Sequence, residues 1–222
     1  MWPLQCSATR GQGLYLPCST CRAHGAVGHG SRHRAGASSA RQYLEVRRIR
    51  PSLSAESPSL REIERLAGEV FRSIGMDWIA DSDPMSVEVL EGYVRRGRSW
   101  VAVDEWDRPV GYVVVDLVDG NAHIEQISVL PEYQGRGLGK DLVEVVHAWA
   151  VEVGCPALTL TTFIHVPWNR PLYEHLGFVV VPEHELKPAL RGVREHESRI
   201  GLDPMSRVCM RRSTGIRVTE AN

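Results

Sequence analysis

The chain has 222 residues with 26 basic and 27 acidic side chains, which suits one domain with its own core plus an extension. The formal net charge of −1 gives no electrostatic reason to expect nucleic-acid or membrane binding, and no apolar run approaches the length of a bilayer span. Of the five cysteines, Cys155 and Cys209 lie in apolar contexts typical of reduced, buried thiols in a cytoplasmic protein.

Residues 1–42 are rich in Gly, Ser, Ala and Arg and have no periodic apolar pattern, so they predict a disordered extension without a secretory signal. The Cys-x-x-Cys pair of Cys18 and Cys21, with His24 and His29, raises the alternative of a zinc site. The second pair is not properly spaced and no apolar residues would pack around the ion. We therefore prefer a dispensable tail and predict no metal.

The folded domain is predicted over residues 43–213, with a flexible tail at 214–222. A first strand at 43–49 and a loop at 51–58 precede a helix, capped by Ser57 or Ser59, that runs to about Ile74. A loop at 76–84 and a second helix at 85–96 follow. Strands at 99–104, 109–118 and 122–130 come next, joined by turn residues.

The second half is predicted to contain a helix at about 139–153, a strand at 157–163, a short helix at 169–176 and a strand at 178–181. The segment 184–198 is charged and poorly patterned, so we predict a flexible excursion there. A last strand is predicted near 207–211.

The junction between the strand at 122–130 and the long helix contains three glycines at alternate positions. Pro131 stops the strand, and Gly135, Gly137 and Gly139 follow. Glycine permits positive φ and lets a ligand approach the backbone closely. A glycine turn that feeds a helix N-terminus presents free N–H groups, and phosphate is the anion that such a site usually binds.

Two familiar phosphate motifs do not fit this turn. A P-loop needs GxxxxGK followed by Ser or Thr, whereas here the spacing is one residue short and Asp141 follows Lys140. The dinucleotide fingerprint needs GxGxxG directly after a first strand, whereas this turn reads GxGxG and much of the domain precedes it.

A third pattern, Gln/Arg-x-x-Gly-x-Gly/Ala, matches QGRGLG at 134–139, and NRPLYEHLGF at 169–178 contains an Asn…Tyr…Gly-Phe block. Together with SVLP at 128–131, these blocks resemble the GNAT superfamily of acetyl-CoA-dependent N-acetyltransferases, over residues 46–212. The resemblance implies an α/β fold with a central mixed, mostly antiparallel sheet of about six or seven strands flanked by helices. It also implies that the strands on either side of the long helix run parallel and splay apart, which leaves a gap for the pantetheine arm.

The resemblance assigns acetyl-CoA binding to the glycine turn, the strand before it and the short helix. Main-chain N–H groups from Gly135 to Lys140 would hold the pyrophosphate, and Arg136 would either add a charged hydrogen bond or stay solvated. Asn169 would hold the cofactor arm, cap the short helix, or do both. The candidate cofactor-binding residues are Ile127, Ser128, Val129, Gln134, Gly135, Arg136, Gly137, Leu138, Gly139, Lys140 and Asn169.

Three residues are candidates for proton transfer. Tyr173 matches the tyrosine of the second block and could protonate a departing thiolate, although a packing role is the alternative. Glu125 is the first choice of base, with His123 as the other, and either could act directly or through water. Strand alternation predicts that His123, Glu125 and Ile127 share one face. The alternative for Glu125 is a structural ion pair with an arginine.

The acceptor amine has fewer signals. The resemblance implies that the loop at 76–84 helps to form the acceptor pocket, which makes Trp78, Asp77, Asp81 and Asp83 candidates for gripping a cationic amine. Glu125, His165 and Trp168 are the other predicted substrate contacts. The alternative is a solvated acidic loop with Trp78 packed in the core.

These patterns predict an N-acetyltransferase that moves the acetyl group of acetyl-CoA to a primary amine of a small molecule or protein. Direct attack in a ternary complex is expected because no cysteine is placed for a covalent intermediate. The alternative is a non-catalytic acyl-CoA-binding sensor. The family often dimerises, so the resemblance allows a homodimer.

Overall fold

The computed structural model describes residues 49–216, whose strands form one seven-stranded mixed sheet. The strand order is β1-β2-β3-β4-β5-β7-β6, and every neighbouring pair is antiparallel except β4 and β5. This architecture confirms the predicted fold class. The strands are β1 Ile49–Pro51, β2 Ser99–Val103, β3 Pro109–Val118, β4 Asn121–Val129, β5 Ala157–Phe163, β6 Val179–Val180 and β7 Arg207–Ser213.

Helices cover both faces of this sheet. They are α1 Ser57–Gly68, α2 Asp77–Ala80, α3 Val87–Arg95, α4 Leu138–Glu152, α5 Arg170–His175 and α6 Pro188–Arg199. A 3-10 turn continues α1 to Ile74, where Gly75 ends it with a φ of 72°. The predicted serine cap is wrong, because Ser57 is the first residue of α1 and the capping position is Glu56, whose side chain makes no capping hydrogen bond.

Alternation along β3 separates two cores. Val113 and Val115 point to the face that carries α4, and they join the larger hydrophobic cluster. Tyr112 and Val114 point to the opposite face and pack with Leu60 of α1 and other residues of α1 and α3. The α4 face and the α1 face are used below as names for these two sides.

A β-bulge in β4 corrects one prediction. Val114 lies opposite Gln126 and Val115 opposite Ile124, so Glu125 is an extra residue without its own partner on β3. The bulge reverses the phase of alternation, and Ile124 and Ile127 therefore both pack on the α4 face. His123 alternates with Ile124 and points to the α1 face, so the prediction that His123, Glu125 and Ile127 share a face is wrong.

The parallel pairing of β4 and β5 is confirmed, and it is short. It joins Ala122 to Leu158 and His123 to Thr159 and then stops. Beyond this point the facing edges of the two strands form no ladder with each other within residues 49–216, as expected for strands that splay apart. The helix α4 connects the end of β4 to β5, so its N-terminus lies at the open end of the split.

The segment predicted to be a flexible excursion is a helix, and this is the largest error of the sequence reading. In α6, two N–H groups of the first turn donate to the Asp119 carboxylate, over 3.1 and 2.8 Å. At its other end the buried Glu197 carboxylate pairs with Arg194 at 2.8 Å and with Arg207 of β7 at 3.1 Å. The charged residues that concealed the helical pattern in the sequence therefore stabilise α6 within the fold.

Several predictions fall on residues that the structure does not describe. These are the extension at 1–42 with its zinc alternative, most of the strand predicted at 43–49, and the end of the tail beyond residue 216. Within 49–216, none of the helices has the length and apolar character needed to cross a membrane.

Candidate active site

The glycine turn has the geometry of an anion-binding site. Gly135 and Gly137 have φ values of 76° and 86°, in the region that L-residues rarely adopt. The helix α4 then begins at Leu138, and its first hydrogen bond runs from the Asp141 N–H to the Gly137 carbonyl over 3.0 Å. The N–H groups from Leu138 to Lys140 therefore have no acceptor within their own helix and carry the positive end of its dipole.

A cleft of about 410 Å³ opens over this turn. Its walls come from the end of β4, the glycine turn, the first turn of α4, and the segment that leads into α5. The lining residues are Val129, Tyr133, Gln134, Gly135, Gly137, Leu138, Gly139, Lys140, Pro167, Trp168, Pro171 and Leu172. The predicted cofactor residues of the turn, except Arg136, thus share one cleft with Trp168, a predicted substrate contact.

Gln134 and Arg136 flank the turn in different ways. The Gln134 side chain donates to the Val129 carbonyl over 2.9 Å and so ties the turn to the end of β4. Arg136 is exposed, donates to the Glu132 carbonyl over 3.0 Å, and stacks 5.0 Å from the centroid of the Tyr133 ring. Both alternatives for Arg136, a charged hydrogen bond to the pyrophosphate or a solvated side chain, stay predictions.

Main-chain groups of β4 face the split. The Leu130 N–H donates to the Val110 carbonyl over 2.9 Å, so residue 130 bonds toward β3. By the alternation of an antiparallel pair, Ser128 also bonds toward β3, and Ile127 and Val129 direct their N–H and C=O groups to the open side. The Ser128 hydroxyl accepts from the Gln126 amide over 2.9 Å on the α1 face. Ile127 and Val129 are therefore positioned for an extended ligand, whereas Ser128 is not.

Asn169 is fully buried before α5, yet neither its Nδ2 nor its Oδ1 has a hydrogen-bond partner among the described residues. The alternative that it caps α5 is wrong, because its side chain makes no capping hydrogen bond. The Thr162 hydroxyl, in the part of β5 that has separated from β4, is likewise buried and without a partner in the described chain. An orphaned buried amide is costly unless a ligand satisfies it, so the Asn169 site fits a polar cofactor arm.

Tyr173 lies one turn after Asn169 and is completely buried in the core on the α4 face. Its ring meets Phe178 edge-on, with centroids 5.7 Å apart. This position is compatible with both predicted roles, the leaving-group acid and the packing tyrosine.

His123 and Glu125 lie together at the closed end of the split, and both are buried. The His123 Nδ1 lies 3.0 Å from the Thr159 hydroxyl, and Nε2 lies 3.8 Å from the nearer Glu125 carboxylate oxygen. Burial lowers the pKa of His123 to about 4, against the opposing effect of Asp116 and Glu197. The imidazole is therefore neutral at physiological pH and a weak base.

The remaining predicted substrate contacts do not reach the cleft. His165 is exposed and Trp78 is 49% exposed, with its ring edge-on to Phe163 at 6.3 Å. Neither lines the cleft, whereas Trp168 does and also meets the Phe71 ring at 6.0 Å. Trp78 is thus neither packed in the core nor part of the wall of this cleft.

The acidic loop around Trp78 is partly neutralised. Arg72 donates to Asp81 over 2.6 Å and to Asp77 over 3.5 Å, and all three side chains are substantially exposed. Asp83 is exposed as well. This arrangement resembles the solvated-loop alternative more than a preformed grip on a cation.

A buried carboxyl group under α1 escaped the sequence analysis. Glu64 accepts hydrogen bonds from the Tyr112 hydroxyl at 2.6 Å and from the Met85 N–H at 3.3 Å. Burial raises its pKa to about 7, although both hydrogen bonds act in the opposite direction. A signal was available, because Leu60, Ile63, Glu64 and Ala67 form the inward stripe of α1.

Thiol and metal chemistry find little support in the described residues. Cys155 and Cys209 are buried, and burial raises the pKa of the Cys209 thiol to about 12. Across residues 49–216, no three His, Cys, Asp or Glu side chains group as metal ligands would.

Comparison with known proteins identifies relatives of this chain. A model of the acetyltransferase (GNAT) family matches residues 60–178. The peptidyl-lysine N-acetyltransferase YjaB of Salmonella typhimurium is 31% identical over 101 residues, which cover 45% of this chain and 62% of that protein. The thialysine N-epsilon-acetyltransferase of Bos taurus is 35% identical over 68 residues, 29% of this chain and 38% of the relative. The chain thus spans less than two thirds of the length of these curated relatives.

Solved structures share the fold. The ribosomal-protein-S18-alanine N-acetyltransferase from Escherichia coli superposes with a TM-score of 0.54 at 16% identity, covering 78% of this chain and 97% of its own. Rv2747 from Mycobacterium tuberculosis, solved with CoA, gives a TM-score of 0.57 at 16% identity, with 74% and 98% covered.

Proposed function

Since this chain belongs to the GNAT family of acetyltransferases, we propose that it transfers the acetyl group of acetyl-CoA to a primary amine, by direct attack within a ternary complex. One observation carries the proposal. The cleft at the N-terminus of α4 presents N–H groups that have no acceptor within that helix, beside a split between two parallel strands. A diphosphate fits the first feature and an extended pantetheine arm fits the second.

The residues that would hold acetyl-CoA follow from this geometry. The N–H groups from Gly135 to Lys140 bind the diphosphate, and the main-chain groups of Ile127 and Val129 bind the arm. Asn169 supplies the amide that has no partner within the described protein. When bound, acetyl-CoA supplies the acetyl group as an activated thioester.

The protein supplies proton transfer and orientation. Glu125 accepts the proton that the acceptor amine must lose before it can attack. Burial disfavours the imidazolium form of His123, which makes it a weaker base than a free imidazole. Tyr173 gives a proton to the departing sulfur, since a phenol and a thiol have comparable pKa values. Cys155 and Cys209 are buried, which supports direct attack over a covalent acetyl-enzyme.

The acceptor is proposed to be a lysine-like amine, with Trp168 as its nearest predicted contact. The two curated relatives are named for peptidyl-lysine and thialysine, which makes ε-amines the first to test. We propose a cytoplasmic location, in line with the burial of Cys155 and Cys209. A homodimer stays a prediction from the family resemblance alone.

Thiol release from acetyl-CoA tests the proposal directly. The purified chain is incubated with acetyl-CoA and, separately, free lysine, thialysine, a lysine peptide, a peptide with a free N-terminus, and a polyamine. Amine-dependent thiol release, with an acetylated product seen by mass spectrometry, is the expected result. Calorimetric binding of acetyl-CoA without turnover on any amine would instead support a non-catalytic acyl-CoA sensor. Absence of binding by a folded chain would overturn both.

A further inference from the structure

A row of polar side chains crosses the α1 face at the closed end of the strand split. His123 of β4 has Asp116 of β3 as its register partner on one side and Thr159 of β5 on the other. Thr159 lies 3.0 Å from the imidazole Nδ1 and is the hydrogen-bond partner that the described structure gives His123. The other ring nitrogen, Nε2, faces the Glu125 carboxylate at 3.8 Å and makes no hydrogen bond within the described residues.

The electrostatics of this row select one tautomer. A neutral imidazole has one N–H and one lone pair, and a threonine hydroxyl can serve either. If Nδ1 carried the proton, the lone pair of Nε2 would face a carboxylate in a buried, low-dielectric site, which is repulsive. If the Thr159 hydroxyl donates to Nδ1, the proton lies on Nε2 and points toward the carboxylate, which is attractive.

We propose that Thr159 is a positioning residue whose hydroxyl donates to Nδ1 and holds His123 in the tautomer with the proton on Nε2, directed at Glu125. The inference depends on the proposed function only for the role of this tautomer in catalysis, because the tautomer itself exists in the protein without substrates. An N–H aimed at the Glu125 carboxylate fixes that carboxylate in place and keeps His123 from competing as the base.

The other charged groups around His123 are engaged elsewhere. The Asp116 carboxylate accepts from the Tyr93 hydroxyl of α3 at 2.7 Å. Glu197 of α6 is bound by Arg207 of β7 at 3.1 Å and by Arg194. Thr161, two residues after Thr159 on the same face of β5, donates to Glu197 rather than to an imidazole. The Thr159 hydroxyl therefore remains available to His123. Thr161 provides a matched control position, because its hydroxyl contacts Glu197 instead of the imidazole.

Nuclear magnetic resonance of the histidine side chains of the full chain tests the tautomer without requiring activity. The ring ¹⁵N shifts of His123, assigned by their loss in His123→Gln, should show a protonated Nε2 and an unprotonated Nδ1 at pH 7. Thr159→Val should mix the two tautomers, Thr159→Ser should keep the original one, and Thr161→Val should leave it unchanged. A proton on Nδ1 in the wild-type protein would overturn the inference, whether or not Thr159→Val folds.

Turnover provides the second readout. Thr159→Val is expected to lower kcat about tenfold and to leave the KM for acetyl-CoA unchanged. A tenfold change in kcat corresponds to the loss of one buried hydrogen bond. Thr159→Ser should have the kcat of the wild type. A folded Thr159→Val variant with unchanged tautomer and kcat would remove Thr159 from this role while leaving the proposed transferase intact. The expected tautomer in a protein that acetylates no amine would sink the proposed function alone.

Discussion

Replacing Gly137 with alanine tests the anion site most directly, and the fold provides a matched control at the other end of the same helix. Gly137 precedes α4 with a φ of 86°, and Gly154 follows it with a φ of 78°. A Cβ built at either position meets no atom within 4 Å. The two substitutions therefore impose the same kind of backbone strain without a clash, but only Gly137 lines the cleft.

The strain of an alanine in the left-handed region costs about 1–2 kcal/mol, so thermal unfolding should register a similar loss for both variants. Binding should separate them. At Gly137 the added methyl group, and any relaxation of φ toward negative values, displaces the N–H groups that follow the turn. Loss of one charge-assisted hydrogen bond costs about 1.5–3 kcal/mol, which is roughly a tenfold to hundredfold weaker Kd for CoA.

Isothermal titration calorimetry with CoA at fixed ionic strength measures the difference. Gly154→Ala should bind CoA with the same Kd as the wild type. If Gly137→Ala folds and binds CoA as tightly as Gly154→Ala, the turn does not hold the diphosphate, and the assignment of the cleft fails with it.

Three further predictions use other parts of the structure. Tyr173→Phe should lower kcat at least tenfold while CoA affinity stays nearly intact, since only the hydroxyl that protonates the leaving sulfur is lost; unchanged kcat would leave Tyr173 as a packing residue. Folding raises the pKa of Glu64 from 4.5 to about 7, so between pH 4.5 and about 7 the folded state binds more protons than the unfolded state. The free energy of unfolding should therefore fall as the pH rises through this range and level off above it. Urea titrations should show that the free energy of unfolding depends less on pH in Glu64→Gln. The same pH dependence as in the wild type would contradict the raised pKa of the buried Glu64 carboxyl. Asp119→Ala removes the cap of α6 and should cost about 1 kcal/mol, with faster amide hydrogen exchange confined to α6; unchanged exchange there would contradict the cap.

The geometry of the glycine turn could be predicted from sequence because it is local. The glycines that need positive φ, the helix start and the strand end all lie within the stretch from Val129 to Lys140, where near neighbours in sequence decide the geometry. The same holds for the parallel pairing of β4 and β5, which follows from the helix that connects them.

The rest of the site could not be predicted, because partners distant in sequence build it. The bulge at Glu125 depends on how β3 and β4 register, and strict alternation from the sequence alone gave the wrong face for Ile127. The helix α6 carries few apolar residues, so periodicity missed it. It is stabilised by Asp119 at its start and by the pairing of Glu197 with Arg207, contacts that span 71 and 10 residues.

The bulge and the split together bring the proposed base close to the strand gap in which the cofactor arm is proposed to lie. Without the bulge, and with Glu125 in a regular place in the ladder, strict alternation would put His123 on the same face as Ile127, and the polar row would have no place on the α1 face. With it, the main-chain groups of Ile127 and Val129 face the gap between β4 and β5 while the side chains of His123 and Glu125 gather where the gap closes. Deleting Glu125 removes the extra residue and leaves a regular ladder in which Ile124 and Ile127 keep the α4 face and His123 keeps the α1 face. The deletion variant should therefore fold and lose turnover, as should Glu125→Gln. Circular dichroism and thiol release check both variants, and a folded variant of either kind that keeps its turnover would refute the proposed role of the Glu125 carboxylate.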